Sequence, residues 1–383
     1  MGYIFPTLNL LKKTVHDRDV SDKRIRVMQE TILDVLRMFK CEARIDSYQI
    51  TPFSICFDVE PLPGQSIKDI HKMKVDLEVH LGREIEIEDA VQGKTSVMIM
   101  VLRRTDRIIG LRNLIESEEF VNAKSPLTVA AGYSYNGKPL IIDIEQLPHM
   151  LIAGSTGSGK TVFMDDIITS LMYKATPEEV GLILIDPKIV DFAYYNDIPH
   201  LLAPVIYEEA QIFASLDWVE AEMSRRYEIF GAEGVKNIQA YYDKYSERVM
   251  QQIVVIIDEY SELMINYRTQ VESIVDRISR IGRAAGVHLI IATQRSTSDV
   301  ITGSIKANIP CRTSFTVVDS RESSAIINRT GAQKLRGSGD MLFSVNNSAD
   351  VQHAQAAYIS ETEIKGVVRF LKRNNKVDKK RFK

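Results

Sequence analysis

A glycine-rich octet that ends in Lys-Thr is the feature that most limits how this chain can fold. Residues 154–161 read Gly-Ser-Thr-Gly-Ser-Gly-Lys-Thr, directly after the apolar run 150–153 and before a segment typical of a helix. A strand, a glycine turn and a helix in this order form a P-loop, in which backbone N–H groups and the helix N-terminus hold phosphate oxygens. The octet therefore predicts binding of a nucleoside triphosphate.

The polar residues at the end of the octet have distinct predicted roles. Lys160 extends its charge toward the β- and γ-phosphates, and the hydroxyl of Thr161 is a ligand for Mg²⁺. The predicted cofactors are therefore ATP and Mg²⁺. The residues predicted to bind ATP are Gly154, Ser155, Thr156, Gly157, Ser158, Gly159, Lys160, Thr161 and Val162.

The overall composition limits the class of protein. At 383 residues, with 45% hydrophobic and 26% charged residues, the chain is typical of a soluble globular protein of two domains. A formal net charge of −3 excludes a uniformly basic nucleic-acid coat, so any DNA contact must be local. No apolar run approaches the roughly 20 residues of a membrane span. We expect a cytoplasmic protein, or one held at a membrane by a partner.

The first third of the chain is predicted to form a helix followed by a small α+β domain. Apolar residues recur at helical spacing over 21–40, and 66–81 is typical of an amphipathic helix. Short stretches of alternating polarity at 54–59 and 96–101 predict strands. No motif with an obvious chemical role falls in this region.

From about residue 126 the pattern changes to alternating strands and helices. Continuous apolar runs at 182–185, 253–257 and 288–291 are typical of buried parallel strands. Such alternation predicts a mostly parallel sheet with helices on both faces. The predicted fold class is therefore α/β, with a P-loop NTPase core that follows a smaller N-terminal α+β domain.

Two acidic residues follow the second of these apolar runs. Asp258 and Glu259 come directly after 253–257. Because ligands of α/β sheets gather at the carboxyl ends of strands, both side chains should face the P-loop. Asp258 suits the Mg²⁺ shell, directly or through water, and Glu259 suits the base that orients or deprotonates the attacking water. The pair predicts hydrolysis of the nucleotide rather than binding alone.

Two further residues are candidates for the hydrolysis step. Gln294 lies just beyond 288–291, where its amide can hydrogen-bond the γ-phosphate or its water. Arg283 shares three-residue spacing with Arg277 and Arg280 on a predicted helix. Most such stripes are solvated; the alternative is an arginine finger for a neighbouring subunit's nucleotide, and Arg283 is favoured because the helix end should lead back to the active-site edge. The buried stripe of the same helix is predicted at Val271, Ile274, Ile278 and Ile281.

Two polar, lightly basic segments are candidates for DNA contact. They span 296–308 and 319–336. Hydroxyls, backbone amides and single cations suit contact with phosphates rather than with bases. By spacing alone, a solvated loop would be the default interpretation of both. The residues predicted to bind DNA are Arg295, Lys306, Arg321 and Arg329.

The stretch 151–359 resembles the motor of FtsK/SpoIIIE-type DNA translocases, within the wider HerA-like group. The segments that carry the resemblance are 153–162, 185–188, 198–202, 234–238, 255–260, 283–288, 292–295, 299–310 and 337–342. Upstream, 3–11 resembles the segment that opens the family's motor region, and 42–125 resembles its smaller α domain. The resemblance implies a RecA-like fold for the ATPase part of the chain.

The patterns and the resemblance together predict four parts of the chain. The N-terminal segment and helix occupy 1–41, the α-type domain 42–125, the RecA-like motor domain 126–371 and a basic tail 372–383. The tail holds seven Lys or Arg residues and one Asp, and is predicted to be disordered.

The resemblance also implies an assembly and a substrate. Members of the family are hexameric rings that thread double-stranded DNA, with nucleotide sites between subunits, so we expect a homo-hexamer. Arg283 falls on the family's trans-acting arginine. Two basic positions of the family's DNA loop fall on Ser320 and Ser324, and we expect Arg321 and Arg329 to substitute for them.

Three hypotheses for the function follow. The leading one is ATP-driven translocation of double-stranded DNA, with single-stranded DNA as the alternative substrate. The second is a coupling ATPase that delivers a DNA–relaxase complex to a conjugative transfer channel. The third, a nucleotide-dependent DNA-binding or assembly module with negligible turnover, is disfavoured because Glu259, Gln294 and Arg283 occur together.

The sequence contains no segment that resembles two parts of the family's cell-division members. These parts are a membrane-spanning N-terminus and a C-terminal winged-helix module. We therefore expect either a minimal motor from a mobile DNA element or a motor segment excised from a longer protein.

Overall fold

The chain folds into two units. The larger unit consists of Met1–Lys13, Ile109–Gly132 and Pro139–Lys383, and the smaller unit of Thr14–Ile108 and Tyr133–Lys138. The computed structural model describes residues 2–14, 20–89, 95–103, 108–245, 250–345 and 351–376. Most of the predicted basic tail, 377–383, lies outside the described residues. The domain limits given in the sequence analysis stay a prediction.

The smaller unit has a four-stranded sheet and three helices among its described residues. Its elements are α1 (Asp22–Met38), β1 (Ala43–Ile50), β2 (Ser54–Pro61), α2 (Ile67–Lys72), α3 (Lys74–Leu81), β3 (Ile85–Asp89) and β4 (Val97–Leu102). The strand order is β1-β2-β4-β3, and each neighbouring pair is antiparallel. The helix predicted at 66–81 forms as two, because the backbone leaves the helical conformation at Met73 (φ −87°, ψ 7°).

The helices of the smaller unit share a core with its sheet. Ile32 and Leu36 of α1, Leu77 of α3 and Phe57 and Ile99 of the sheet are all fully buried in one cluster. Removing each such side chain from water contributes roughly 2 kcal/mol. The helical spacing over 21–40 is thus confirmed as α1, with its apolar face on the core.

The larger unit is built on a sheet that has nine strands within the described residues. The strands are β5 (Thr128–Ser134), β6 (Pro139–Asp143), β7 (His149–Ala153), β8 (Val180–Ile185), β9 (Gln252–Ile257), β10 (Val287–Thr293), β11 (Cys311–Ser314), β12 (Asp340–Ser344) and β13 (Val351–Ala356). The helices are α4 (Leu111–Ile115), α5 (Glu118–Asn122), α6 (Lys160–Lys174), α7 (Glu209–Glu233), α8 (Ile238–Tyr245), α9 (Tyr260–Ala285), α10 (Gly303–Asn308), α11 (Ser320–Ile327) and α12 (Glu361–Asn374). Short 3₁₀ turns occur at Leu8–Leu10, Ala193–Tyr195 and Ala332–Lys334.

Five neighbouring strands of this sheet run parallel, in the order β11-β7-β10-β9-β8. Beyond β11, the strands β12 and β13 continue the sheet in antiparallel pairs. Every residue of β8, β9 and β10 is buried, which confirms the three predicted buried strands. From β7 the chain first builds β8, β9 and β10 on one side and then places β11 on the other side. Ligands of parallel sheets bind at the carboxyl ends of the strands where the chain changes direction in this way, which here is beside β7.

Helices α7 and α9 of the larger unit pack against the sheet without being uniformly apolar, and α9 consists of two helical stretches joined by a kink at Tyr267 (φ −138°, ψ 36°). Val271, Ile274 and Ile278 of α9 are buried as predicted, but Ile281 is 37% exposed. A Cβ on Gly282 would lie 2.7 Å from the carbonyl oxygen of Val287, so the helix touches the sheet through Gly282 and turns Ile281 away. Within the ranges that the structure describes, no helix is long and apolar enough to cross a membrane.

Candidate nucleotide site

The P-loop connects β7 to α6, and three of its glycines shape it. Gly157 and Gly159 have φ values of +77° and +114°, which residues with a side chain adopt only with strain. A Cβ on Gly154 would lie 2.6 Å from the Cβ of Phe315, and one on Gly159 would lie 2.7 Å from the backbone nitrogen of Gly339. The loop can follow this path only with glycine at these positions.

Two neighbouring segments support the P-loop from behind. The backbone nitrogen of Ser155 donates to the carbonyl oxygen of Thr316, just after β11, at 2.8 Å. The backbone nitrogen of Gly339, just before β12, donates to the carbonyl oxygen of Ser158 at 2.9 Å. The segment 337–342 carries part of the family resemblance, but its support of the P-loop was not predicted; its glycines were the available signal.

Four side chains form what we call the P-loop cluster: Lys160, Asp258, Glu259 and Gln294. Nζ of Lys160 donates to Oδ1 of Asp258 at 3.0 Å and lies 4.0 Å from Oε2 of Glu259. Both carboxylates are almost fully buried, and the Lys160 side chain is only 4% exposed. The structure thus brings both carboxylates to the P-loop lysine, while their roles in catalysis stay predictions.

Glu259 is held in one orientation by four hydrogen bonds. Its backbone has a φ of +52° at the junction of β9 and α9, a strained conformation for a residue other than glycine. Oε1 accepts hydrogen bonds from Oγ of Ser261 at 2.6 Å, Oγ1 of Thr293 at 3.2 Å and the backbone nitrogen of Gln294 at 3.0 Å. Oε2 accepts one from Nζ of Lys188 at 3.0 Å.

These contacts favour the ionised form of Glu259. Burial by itself raises the pKa of Glu259. Hydrogen bonds from Ser261 and from the backbone of Gln294 lower it. The ammonium groups of Lys160 and Lys188 lower it further, and the pKa of Glu259 lies below its usual value. The side chain is therefore a carboxylate at neutral pH and is able to accept a hydrogen bond from water.

Gln294 joins the P-loop to Glu259. Its side-chain Oε1 accepts a hydrogen bond from Oγ1 of Thr156 at 2.7 Å. Its backbone nitrogen donates to Oε1 of Glu259 at 3.0 Å. Gln294, whose amide was predicted to hydrogen-bond the γ-phosphate or its water, therefore contacts both the phosphate-binding loop and the predicted base.

The residues near Lys160 fit a Mg²⁺ ion that is shared with a nucleotide. Oδ2 of Asp258 is buried and has no hydrogen-bond partner among the described residues, and Thr161 lies in the first turn of α6, next to the Lys160 that contacts Oδ1 of the same carboxylate. Burial raises the pKa of Asp191 to about 7, and the nearby carboxylates of Asp258 and Asp186 add to the rise, so a cation at this position would relieve the repulsion between acidic groups. In the described part of the chain, no group of three or more His, Cys, Asp or Glu side chains could hold a metal. Mg²⁺ commonly uses one or two protein ligands together with phosphates, which matches this arrangement.

Arg283 lies at the amino ends of the parallel strands, whereas the P-loop of its own chain lies at their carboxyl ends. It is exposed in the last turn of α9, just before β10 begins. A Cβ on Gly282 would lie 3.3 Å from His149, the first residue of β7, whereas the P-loop follows the last residue of β7. The expectation that the end of α9 leads back to the active site is wrong. The helix starts at the carboxyl end of β9, where the P-loop cluster lies, and ends at the amino end of β10. Arg283 therefore lies away from the P-loop of its own chain.

The four residues predicted to bind DNA lie on separate segments. Arg295 follows β10 at the P-loop edge, where its Nη2 lies 3.6 Å from Oδ2 of Asp299. Arg321 is exposed in the first turn of α11, and Arg329 follows the other end of that helix, where the chain turns back and its carbonyl oxygen accepts a hydrogen bond from Oγ of Ser323 at 2.7 Å. Lys306 is half-buried on α10, and burial lowers its pKa. Their role in DNA binding stays a prediction.

Arg312, which sequence analysis missed, links α10 to α11. It is only 2% exposed on β11, and its Nε donates to the carbonyl oxygen of Ile309 at 3.1 Å. Its Nη1 donates to the carbonyl oxygen of Ile326 at 3.4 Å, and its Nη2 to that of Lys306. One buried guanidinium therefore caps the carboxyl ends of both helices. The available signal was a single charge in the otherwise uncharged stretch 309–318.

The fold and the P-loop cluster define a RecA-like P-loop ATPase core, and two solved structures share this fold. The pCW3 conjugation coupling protein TcpA, in its monomer form with ATPgS, matches with a TM-score of 0.62 and 23% identity, over 91% of this chain and 99% of that one. The cytoplasmic domain of the type VII secretion ATPase EccC from Thermomonospora curvata matches with a TM-score of 0.63 and 23% identity, over 72% and 35%. The predicted fold class is confirmed.

The chain belongs to the FtsK/SpoIIIE family. The profile of that family matches residues 110–298, and the profile of the FtsK alpha domain matches residues 5–101. The DNA translocase FtsK of Haemophilus influenzae is 35% identical over 387 residues, which cover 94% of this chain and 73% of that protein. The family resemblance in the sequence is therefore confirmed.

Other curated relatives are longer than this chain. The DNA translocase FtsK of Caldanaerobacter subterraneus subsp. tengcongensis is 40% identical over 97% of this chain and 53% of that protein. The DNA translocase SftA of Bacillus subtilis is 42% identical over 96% of this chain and 39% of that protein. The chain thus spans about half the length, or less, of these relatives.

Proposed function

We propose that this chain is the motor of an ATP-hydrolysing ring that moves double-stranded DNA. The observation that carries the proposal is the P-loop cluster, in which Lys160, Asp258 and Glu259 meet beside the P-loop. The names of the curated relatives, which are DNA translocases, support the same function for this chain.

The first step of the proposed cycle is an exchange of partners by Lys160. Its ammonium group is paired with Asp258, and the phosphates of ATP would compete for it because charge-assisted contacts to phosphate are strong. Residues 154–162 would hold the phosphates, and Thr161 with the released Asp258 would hold Mg²⁺. A bound Mg²⁺ neutralises charge that develops on the transferring phosphoryl group.

Glu259 and Gln294 would act on the attacking water and on the outcome of its attack. Glu259 is ionised and buried, so its carboxylate can orient the water and accept its proton. Gln294 contacts both Glu259 and Thr156 of the P-loop. If loss of the γ-phosphate moves Thr156 of the P-loop, its hydrogen bond would move Gln294 as well. Gln294 is joined directly to the segment that follows β10, so that segment would move with it.

A ring of identical subunits would complete the site. Arg283 is exposed at the edge opposite to its own P-loop, a position from which it can serve only a neighbouring subunit. An arginine supplied in trans stabilises charge in the transition state of phosphoryl transfer. We propose a homo-hexamer, with Arg283 of one subunit beside the nucleotide of the next.

DNA would contact the segments that follow β10 and β11. Arg295, Lys306, Arg321 and Arg329 are the proposed cations, and all four would bind backbone phosphates rather than bases. Binding by phosphate contacts alone is independent of sequence, which suits a motor that must travel along any DNA.

ATPase rates with no DNA, with double-stranded DNA and with single-stranded DNA test the proposal. We expect duplex DNA to raise the rate several-fold and single strands to raise it less. Lys160→Ala and Glu259→Gln should each lower the rate by roughly a hundredfold or more, because each removes a group required for phosphoryl transfer.

Two matched variants control for these substitutions. Lys124 and Glu118 are exposed and lie outside the P-loop cluster, so Lys124→Ala and Glu118→Gln should retain the wild-type rate. A rate that duplex DNA leaves unchanged would contradict the translocase proposal. Wild-type hydrolysis by Glu259→Gln would remove Glu259 as the base.

A further inference from the structure

The segment that follows β8 is wound around a single buried carboxylate. Asp186 has no exposed surface and lies at the end of β8, at the same edge of the sheet as the P-loop. Its two carboxylate oxygens accept hydrogen bonds, at distances between 2.9 and 3.2 Å, from the backbone nitrogens of Lys188, Ile189, Val190, Asp191 and Phe192. The backbone from which the Lys188 side chain extends is therefore fixed.

From this segment, Lys188 reaches the predicted base. Its Nζ donates to Oε2 of Glu259 at 3.0 Å. The lysine side chain is 36% exposed, whereas the glutamate side chain is 1% exposed. Lys188 therefore has a route to solvent that Glu259 lacks, and the ammonium group can leave the pair without remaining buried and unpaired.

The two oxygens of Glu259 are not equivalent. Oε1 already accepts three hydrogen bonds from Ser261, Thr293 and Gln294, and a carboxylate oxygen offers about two lone-pair sites. Oε2 accepts only the bond from Lys188, and Lys160 of the P-loop lies 4.0 Å away from it. A water that is to be oriented by Glu259 must therefore use Oε2, where Lys188 already fills one of the two lone-pair sites.

We propose that Lys188 is a positioning residue for hydrolysis: it holds Oε2 of Glu259 and competes with the attacking water for that oxygen, so the water is oriented best once the ammonium group has withdrawn. This inference rests on the proposed ATPase function. Lys188 would slow the chemical step and would not affect nucleotide binding, which the P-loop provides. Because the segment is fixed through Asp186, the side chain of Lys188 rather than its backbone makes the movement.

The test compares Lys188→Met, Lys188→Gln and Lys188→Arg in steady-state ATPase assays without DNA. We expect the two uncharged variants to raise kcat by roughly threefold or more and to change KM less than twofold, since only the hydrolysis step loses its restraint. Lys188→Arg keeps a cation at this position and should return kcat toward the wild-type value. Lys124→Met is the matched control on an exposed lysine.

A second variant shows whether the effect passes through Glu259. Lys188→Met combined with Glu259→Gln should be as inactive as Glu259→Gln alone. If kcat of Lys188→Met and Lys188→Gln equals or falls below the wild-type value, while Lys160→Ala is inactive, the proposed role of Lys188 is wrong and the proposed ATPase function stands. If the wild-type chain itself lacks ATPase activity with and without DNA, both proposals fail.

Discussion

The P-loop cluster and the two basic segments of the same unit differ in how their charged groups are held. In the cluster, Lys160, Asp258 and Glu259 are almost fully buried and contact one another. Arg295, directly before the first segment, is about half exposed and lies 3.6 Å from Asp299, and Arg321 of the second segment is exposed on the first turn of α11. Burial has fixed the geometry of the first region, whereas the second region keeps its side-chain freedom.

This difference decides what each region can reveal without its ligand. Buried charges are costly unless they are paired, so the contacts of the P-loop cluster are strong and specific. An exposed pair such as Arg295 with Asp299 is worth at most about 1 kcal/mol and is easily exchanged for a phosphate. Substitutions in the cluster should therefore have large effects on the nucleotide, and substitutions in the segments should have graded effects on DNA.

The largest expected effect is on nucleotide binding by Gly159→Ala. The new Cβ would lie 2.7 Å from the backbone nitrogen of Gly339, at a φ of +114°. Strain of roughly 1–3 kcal/mol corresponds to a loss of about 5- to 150-fold in affinity. Titration with a fluorescent ATP analogue measures the loss.

Two glycines serve as controls for that substitution. Gly157 has a φ of +77° but nothing within 4 Å of a new Cβ, so Gly157→Ala should lose less affinity than Gly159→Ala. Gly366 on α12 has neither constraint, and Gly366→Ala should bind as wild type. Equal affinities for the Gly157→Ala and Gly159→Ala variants would show that the contact with Gly339 does not shape the loop.

The second prediction concerns Arg312, which extends from β11, beside the P-loop strand, to the ends of α10 and α11 in the basic segments. Arg312→Met should lower the free energy of unfolding by about 2 kcal/mol, because carbonyl groups at the ends of α10 and α11 lose their donor. It should also reduce stimulation by DNA more than the basal ATPase rate, since β11 beside the P-loop strand would remain. Urea unfolding and ATPase assays measure the two quantities. Arg280→Met, on the exposed face of α9, should cost less than about 0.5 kcal/mol.

An equal loss of basal and DNA-stimulated rates in Arg312→Met would contradict the link between the segments. The variant would then be damaged throughout the larger unit rather than at the helix ends. Arg312→Lys keeps the charge but has only one nitrogen to donate from. Its free energy of unfolding and its stimulation by DNA should therefore lie between those of the wild type and of Arg312→Met.

Local sequence patterns predicted most of the nucleotide site. The P-loop, the strand ends that carry Asp258 and Glu259, and the position of Gln294 all follow from apolar runs and from the rule that ligands gather at carboxyl ends of strands. Each of these features needs only the residues of one strand and the turn after it. The α/β fold class was predicted for the same reason.

Contacts between residues that are distant in the sequence could not be predicted. Lys188 reaches Glu259 across 71 positions, and nothing in the local pattern of either residue indicates the pair. The support of the P-loop by Gly339 is of the same kind. Arg283 is a different case: its place near the end of α9 was predicted correctly, but the direction of α9 was predicted wrongly. A helix between two parallel strands must run back from the carboxyl end of the first to the amino end of the second, so the predicted parallel sheet already contained the answer.

The smallest expected effect, and the one that defines the exposed region most sharply, is on DNA binding by Arg321→Ala. If Arg321 contacts one phosphate, its removal should lower duplex affinity several-fold, equally for all sequences, and reduce the slope of log K against log salt by about 1. Binding measured at several salt concentrations gives this slope. Lys124→Ala, which removes an exposed charge elsewhere on the larger unit, should leave the slope unchanged. An unchanged slope for Arg321→Ala would exclude its contact with phosphate, and the path of DNA would then have to be sought along Arg295, Lys306 and Arg329.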